Sequence, residues 1–529
     1  MRIHCYLTLA IAGFITGALA PIAMATADRP NIILIYTDDH GWPDIGPAGI
    51  HKDLKTPHLD ALAESGVRAT DGYSSAPQCV PSRAGLMTAK YQNRFKVESN
   101  GQSLDGFDKE ITVAEHLKRA GYTTAQIGKW HLGAGNQIDT HGFDYFFNKN
   151  SNRPAWGNFD RQGEKIPTAQ IPHESYHIDD CSQAALAFIR KHEESPFFLY
   201  LAYRAPHVPL DAPKRHLDRF PGKMPERRRQ ALAMIAAMDD GVGAIVAELK
   251  ELGLTEDTLI FYIGDNGAPL KIHKVDAPGG GPGWDGSLNE PLNGEKGMLT
   301  EGGIRVPFVA CWPGMIPAGQ VYKQPIIALD ATATALHLAG LTDVSGLDGV
   351  NLIPYLSGGQ VGEPHDALYW RWVGQSAVRQ GDWKLLRGHS RSYLFNLVED
   401  KEEKHNRIDD HPEIAKRLGA LLDSWDATLP AAANSRLSKA GNAYFDWYLD
   451  GKRDAKAPKR GAPKERARAK GDRPTDEKIF AQRDTDKDGK VTLEEFIAGR
   501  TKQVDVITSQ FHRRDTNGNG VWEKSEIQP

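Results

Sequence analysis

Cys79-Val80-Pro81-Ser82-Arg83 sets a thiol four residues ahead of a guanidinium, at the end of a turn of small residues. That puts one thiol in a setting that suggests chemistry, since nothing about packing requires it. A single cysteine is also commonly a small buried hydrophobe, and Pro81 reads as the start of a helix running to Met87, so the motif gains meaning only from its company. Asp38-Asp39 and Asp265-Asn266 each follow directly on an apolar run. Three carboxylates and an amide oxygen make a hard-oxygen set that suits Ca2+ or Mg2+ better than zinc. Either pair alone would pass as a turn former; two together point to a metal. Lys129 and His131, then His207, then Lys296 and Arg305 add cations and proton carriers. A tetrahedral anion is the substrate such an array fits, with Lys and Arg holding its oxygens and His moving protons.

The elements that must position these groups alternate. Asn31 to Thr37, Thr123 to Ile127, Phe197 to Leu201 and Thr258 to Ile263 are short apolar runs rich in β-formers, the pattern of strands covered on both faces. Helical segments lie between them: Pro57 to Ala63 behind a Thr56 cap and closed by Gly66, Val113 to Leu117, Cys181 to Ile189, and about Arg228 to Leu252. The series predicts an α/β fold with a mostly parallel sheet sandwiched by helices. In such a sheet, Asp38, Asp39, Asp265 and Asn266 fall at the carboxyl edge, where ligands bind. Beyond residue 355 the pattern becomes short strands, at Ser376 to Arg379, Trp383 to Leu386 and Tyr393 to Leu397, then a helix from about His411 to Trp425. That reads as a small antiparallel subdomain over 356–450, after a catalytic α/β domain over 28–355.

With these residues in view the chain resembles the type I sulfatases of the alkaline phosphatase superfamily. The resemblance rests on Cys79-Val80-Pro81-Ser82-Arg83, Asp38-Asp39, Gly128-Lys129-Trp130-His131, Pro206-His207, Gly264-Asp265-Asn266-Gly267, and Lys296 with Glu301-Gly302-Gly303-Ile304-Arg305-Val306-Pro307. These occur in the family's order from about Asn31 to Leu429. It implies a sulfuric ester hydrolase in which Cys79 is oxidised to formylglycine by a formylglycine-generating enzyme. The aldehyde hydrate then attacks sulfur, the alcohol leaves, and the second hydroxyl expels sulfate. It further implies one Ca2+ held by Asp38, Asp39, Asp265 and Asn266. Arg83 and Lys129 would hold the hydrate and His131 would take its proton. His207 and Lys296 would grip sulfate and assist the leaving oxygen, with the acid between those two left open. A phosphodiesterase or phosphonate hydrolase of the same superfamily, and a non-catalytic calcium-dependent glycan-binding protein, are the alternative readings.

The ends of the chain carry separate signals. Residues 1–27 have a charged start, an apolar middle from Cys5 to about Ile22 and a small-residue exit, as in a secretory signal peptide; an uncleaved anchor is the runner-up. Export to periplasm, cell surface or medium is expected, with no membrane span once the leader is removed. Removal leaves Cys79, Cys181 and Cys311, so a bridge between Cys181 and Cys311 is open to the sequence. The 529 residues and a formal charge of −4 give no pull towards nucleic acid. Residues 451–473 are basic and almost without apolar side chains, a linker composition. Two segments in 474–529, Asp484, Asp486, Asp488 and Glu495, then Asp515, Asn517, Asn519 and Glu526, have the spacing of EF-hand calcium loops. Val491 and Trp522 fall at the same loop position, where the two hands would pack. Little chain follows Glu526 for a second exiting helix. Substrate is expected to be a sulfated saccharide, and Trp284, in the Gly-rich stretch before Asn293, reads as either a stacking face for a sugar or a pin for its loop.

Overall fold

Every residue from Asn31 to Asp38 is buried, and their side chains alternate between two apolar cores. Ile32, Leu34 and Tyr36 enter one, Ile33 and Ile35 the other. A strand can be apolar throughout only if both sheet faces are covered. The computed structural model describes residues 29–133, 138–147, 176–270, 286–342, 344–388, 391–432, 449, 476–498, 511, 514 and 521–526. The proposed leader, the basic linker, Trp284, Asp515, Asn517 and Asn519 lie outside the described residues.

In chain order the strands of the main body are β1 (Asn31–Asp38), β2 (Val67–Ala69), β3 (Gly72–Tyr73), β4 (Thr123–Gly128), β5 (Tyr145–Phe147), β6 (Phe197–Pro206), β7 (Thr258–Gly264), β8 (Phe308–Cys311), β9 (Gln320–Tyr322) and β10 (Ile326–Ile327). The helices are α1 (Pro57–Glu64), α2 (Cys79–Thr88), α3 (Val113–Arg119), α4 (His177–Lys191), α5 (Lys214–Leu217), α6 (Glu226–Glu251), α7 (Glu301–Ile304), α8 (Ala328–Leu338), α9 (Ile353–Leu356) and α10 (Pro412–Asp426). An eight-stranded sheet runs β5-β4-β6-β1-β7-β8-β2-β9. Its first five strands are parallel, and β8 is antiparallel to both neighbours. α2, α3 and α8 supply apolar side chains to one core, and α1, α4 and α6 to the other. The expected mixed α/β layers are therefore present, and β1 lies between β6 and β7, fourth of the eight strands.

Local details depart from the sequence reading. Helix α2 begins at Cys79, not Pro81; a first helical turn has amide hydrogens without intrahelical acceptors, so proline is tolerated there. Cys79 is thus part of the helix. α1 ends at Glu64 with Ser65 as its cap, while Gly66 is needed for closeness: a Cβ on it would come within 2.3 Å of the Ala310 carbonyl oxygen. Cys181 and Cys311 are unbridged. Cys181 on α4 packs towards Gly128, whereas the Cys311 thiol at the end of β8 faces the Ser65 carbonyl at 3.6 Å.

After α9 the chain forms a four-stranded antiparallel sheet, β11 (Leu368–Trp372), β12 (Gln375–Gln380), β13 (Trp383–Arg387) and β14 (Ser392–Asn396), with α10 against it. Its core, including Trp370, Val378, Leu385, Leu394 and Leu422, is continuous with Tyr73, Met298, Ile304 and Leu329 of the main body. A buried ionic link joins the two as well. Glu301 at the start of α7 accepts hydrogen bonds from Lys384 of β13 (2.8 Å), Tyr73 (2.7 Å) and Arg305 (2.6 Å). The small sheet therefore fixes the segment that precedes α7, where Lys296 lies.

Residues Lys459–Pro529 form a second compact unit. In it, Lys490–Thr492 pairs antiparallel with Val521–Glu523, and Val491 stands opposite Trp522. Both are fully buried with Phe480, Phe496 and Phe511, as expected from their matching loop positions. No helix among the described residues is long and apolar enough to cross a membrane.

Candidate active site

Parallel strands end at the same edge, so the tips of β1 and β7 bring Asp38, Asp39, Asp265 and Asn266 together, each fully buried. Asp39 occupies a left-handed backbone position, φ 59°, which Asp tolerates better than most residues. The turn is held from β7, since the Asp39 amide donates to Asp265 Oδ1 at 3.0 Å and Asn266 Nδ2 donates to Asp39 Oδ1 at 2.7 Å. Helix α2 points its first residue into the same space. The Cys79 thiol donates to Asp38 Oδ1 at 3.3 Å, and the α2 amide of Val80 is met by the Asn100 side chain at 3.0 Å.

Three cations complete the basin. Lys296 Nζ lies 3.0 Å from Cys79 Sγ and 2.5 Å from Asp39 Oδ1, and Lys129 Nζ lies 2.5 Å from Asp38 Oδ2. Arg83, fully buried one helical turn after Cys79, pairs with Asp265 at 2.8 Å and donates to the Lys129 carbonyl and the Tyr200 hydroxyl, both at 3.1 Å. Its guanidinium also faces the Tyr36 ring. Gly128 lets the Lys129 loop approach β6: it has φ 95°, and a Cβ would meet the Ala202 oxygen at 2.1 Å. His207 places Nε2 3.6 Å from Asp39 Oδ2 while Nδ1 is 2.5 Å from the Val208 carbonyl. His131 sits after Lys129 at φ 62°, with its side chain open to solvent.

Electrostatics follow from this crowding. Burial pushes the Cys79 thiol up to about 12 despite Lys129 and Lys296, so at neutral pH it is protonated and a poor nucleophile. Burial also pushes Asp265 up, reinforced by Asp38. Asp38 goes the other way: burial opposes ionisation, but His207, Lys129, Arg83 and Lys296 together hold it well below the usual range. Burial lowers His207 to about 4, more than Asp38 and Asp39 can offset. His131 is lowered to about 3 by desolvation, and further by Lys129 and Arg83.

The residues fit a divalent cation. Asp39 Oδ2 and Asn266 Oδ1 are buried and have no hydrogen-bond partner among the described residues. A buried oxygen without a donor is costly, and two beside three carboxylates match the hard-oxygen preference of Ca2+. Oxygen, nitrogen and sulfur atoms of Asp38, Asp39, His207 and Cys79 all lie within 4.8 Å of one another.

All ten residues singled out for the catalytic centre thus lie at the strand tip, loops and helix that border this edge. The sequence reading missed the support around Arg83, namely Tyr36 and Tyr200, whose hydroxyls lie on strands otherwise apolar; such polar atoms in a covered strand were the available signal. It also missed Gln78 and Asn100, which have no signature at all. Trp284 lies outside the described residues. In the second unit Asp484, Asp486 and Asp488 converge within 4.8 Å. Gly489 turns at φ 84° with its amide on Asp484, and Glu495 accepts from Thr485 and Thr492 at opposite ends of the loop.

Residues 30–341 match the sulfatase family, and 294–425 match the C-terminal region of N-sulphoglucosamine sulphohydrolase. The chain is 35% identical to N-acetylgalactosamine-6-sulfatase of Sus scrofa over 416 residues, covering 72% of this chain and 75% of that one. It is 31% identical to arylsulfatase A of Bos taurus over 488 residues, 78% of this chain and 92% of the other. Among solved structures it is similar to Ps i-CgsB in complex with k-i-k-neocarrahexaose, at 30% identity and a TM-score of 0.66, covering 80% of this chain and 98% of that one.

Proposed function

Because this chain belongs to the sulfatase family, we propose that it is an exported enzyme that releases sulfate from sulfated carbohydrates, using a formylglycine made from Cys79 and one Ca2+. Membership makes it a sulfuric ester hydrolase. The observation that carries the finer reading is the seat of Cys79, flanked by Lys296 at 3.0 Å and Asp38 at 3.3 Å, beside two buried oxygens without a hydrogen-bond partner among the described residues. A protonated, desolvated thiol would be inert there. Oxidation to the aldehyde would supply a hydrate with one oxygen for sulfur and a second hydroxyl whose deprotonation frees sulfate. Calcium on Asp38, Asp39, Asp265 and Asn266 would polarise the sulfate oxygens and ease ionisation of the hydrate.

The remaining roles belong to the side chains. Arg83 is rigidly placed by Asp265 and Tyr200 and, with Lys129, orients the residue-79 side chain. His131, neutral at physiological pH, accepts the proton of the second hydroxyl. Lys296 and His207 hold sulfate and stabilise the departing oxygen. Maturation requires a formylglycine-generating enzyme, and the leader at 1–27 provides export.

We infer a second role for calcium in the tail, through Asp484, Asp486, Asp488 and Glu495 and through Asp515, Asn517, Asn519 and Glu526. Support comes from the convergent first loop and from Asp484 Oδ1, which is buried without a hydrogen-bond partner among the described residues. A stabilising or attaching role suits an exported module better than signalling, since such sites bind weakly.

Two sugars named by the relatives frame the test: N-acetylgalactosamine 6-sulfate and k-i-k-neocarrahexaose. Purified protein from a host that makes formylglycine should carry an aldehyde at position 79 and liberate sulfate from at least one defined sulfated saccharide. Intact cysteine with no sulfate release, or faster turnover of an aryl phosphate diester, would overturn the proposal.

A further inference from the structure

Strand β11 carries Trp370 and Trp372 on the same face, two residues apart. Trp370 is fully buried, with its indole nitrogen on the Ser74 carbonyl. Trp372 emerges at the strand end and is half-buried. One edge of its ring touches both arms of the candidate active site. Nε1 donates to Gln78 Oε1 at 3.2 Å, and Gln78 directly precedes Cys79. Cη2 lies 3.4 Å from where a Cβ on Gly297 would be, and Gly297 directly follows Lys296. The Gly297 amide in turn donates to the Pro77 carbonyl at 2.8 Å.

The hairpin that presents Trp372 is strained. Its two-residue turn places Val373 at φ 51° and Gly374 at φ 97°, and a β-branched residue is strongly disfavoured in the left-handed region. Strain of this kind persists where a geometry is needed for function. Immediately after the turn, Gln375 is buried and accepts from the Leu299 amide at 3.0 Å, so the hairpin also grips the Lys296 segment.

We propose that Trp372 is the platform on which the sugar of the sulfate ester rests, a deepening that depends on the sulfated-carbohydrate reading above. The indole contacts the residues that adjoin Cys79 and Lys296, and the side chains of those two meet at Cys79 Sγ. A sugar esterified to a sulfate held there would lie against this ring. Aromatic surface is a frequent component of ligand sites because it offers large apolar contact with little side-chain freedom to lose. The antiparallel sheet would then contribute to specificity.

Two variants of the full-length matured enzyme separate a platform from a pin. Trp372→Leu keeps bulk over Gly297 but removes the aromatic face; Trp372→Phe keeps a face and loses the bond to Gln78. Substrate is whichever of the two sugars named above the wild type hydrolyses faster, and inhibition by inorganic sulfate reports the sulfate-holding groups alone. Trp372→Leu should raise KM on the order of tenfold with sulfate inhibition unchanged, and Trp372→Phe should stay within about threefold of wild type. An unchanged KM in Trp372→Leu overturns the proposal, as does equal loss in both variants or a parallel loss of sulfate inhibition, each of which marks a structural pin. A wild type that releases no sulfate from any saccharide instead refutes the substrate reading itself.

Discussion

The Lys296 ammonium bridges the Cys79 sulfur, at 3.0 Å, and Asp39 Oδ1, at 2.5 Å. One side chain from the segment before α7 thus connects the helix that carries the nucleophile position to the tip of the central strand.

Replacing Lys296 by Ala should reduce kcat/KM on sulfate esters by about 10²–10³-fold, the usual cost of deleting one charge-stabilising donor. Steady-state kinetics with circular dichroism as a folding control measure it. A loss below fivefold would remove Lys296 from the sulfate-holding set.

Arg83→Met should be far more damaging to stability than to shape. It leaves Asp265 buried beside Asp38 without its partner at 2.8 Å, and breaking one side of a buried pair costs about 3–5 kcal/mol. Thermal melting of variant and wild type reads this directly. Arg83→Lys should not rescue it, because a single ammonium cannot reach Asp265, Tyr200 and the Lys129 carbonyl together.

The pH profile should be displaced towards acid. The proposed base, His131, is lowered to about 3 in the folded protein by desolvation, Lys129 and Arg83, so it can still accept a proton where an ordinary histidine would already carry one. The acid limb of kcat/KM should therefore fall well below pH 6. Stability carries the same sign at His207, which burial lowers to about 4: the unfolded chain takes up a proton near pH 6.5 that the folded chain refuses, so this group's contribution is lost as pH drops from about 6.5 towards 4. An acid limb centred at 6.5 would contradict the assignment of His131 as the base.

Chelation should abolish turnover and lower the melting temperature, with recovery on adding Ca2+. At a free concentration about 100 times Kd, a ligand bound only by the folded state adds about 2.7 kcal/mol. Glu495→Gln should weaken the calcium heat of the full-length protein while leaving activity and its calcium dependence intact. Loss of catalysis in that variant would mean that the tail loop and the basin are not independent.

Protein made without a formylglycine-generating enzyme should retain a Cys79 thiol that resists alkylation at pH 8 until the chain is denatured, because it is fully buried and its pKa is raised to about 12. Mass spectrometry of the tryptic peptide checks this, and rapid labelling of the folded protein would refute it.

How much of this was legible beforehand varies by kind of element. The long, doubly covered strands β1, β4, β6 and β7 announced themselves as apolar runs because both faces are buried. β2, β9 and β10 span only two or three residues, too short to show a period, and their pairing is decided by tertiary packing. β11, Leu368-Tyr369-Trp370-Arg371-Trp372, was missed because Arg371, buried with Glu98 and Asp426, puts a charge inside a run that is otherwise apolar and aromatic. The chemical residues were legible because carboxylates and cations after strands have few other reasons to recur. Gln78 and Trp372 were not, since they meet across 294 positions, and Asn100 was not, since it serves Val80 and Gln78 only through a loop that returns to the start of α2.

The full enclosure of Cys79 inside the first turn of α2 sets an order of events in the protein's manufacture. Any catalyst that is to alter that sulfur needs access to an extended peptide, which closes once the helix docks on the sheet. On the formylglycine proposal, maturation would have to precede folding, and a molecule that folds first would keep its thiol enclosed and unconverted.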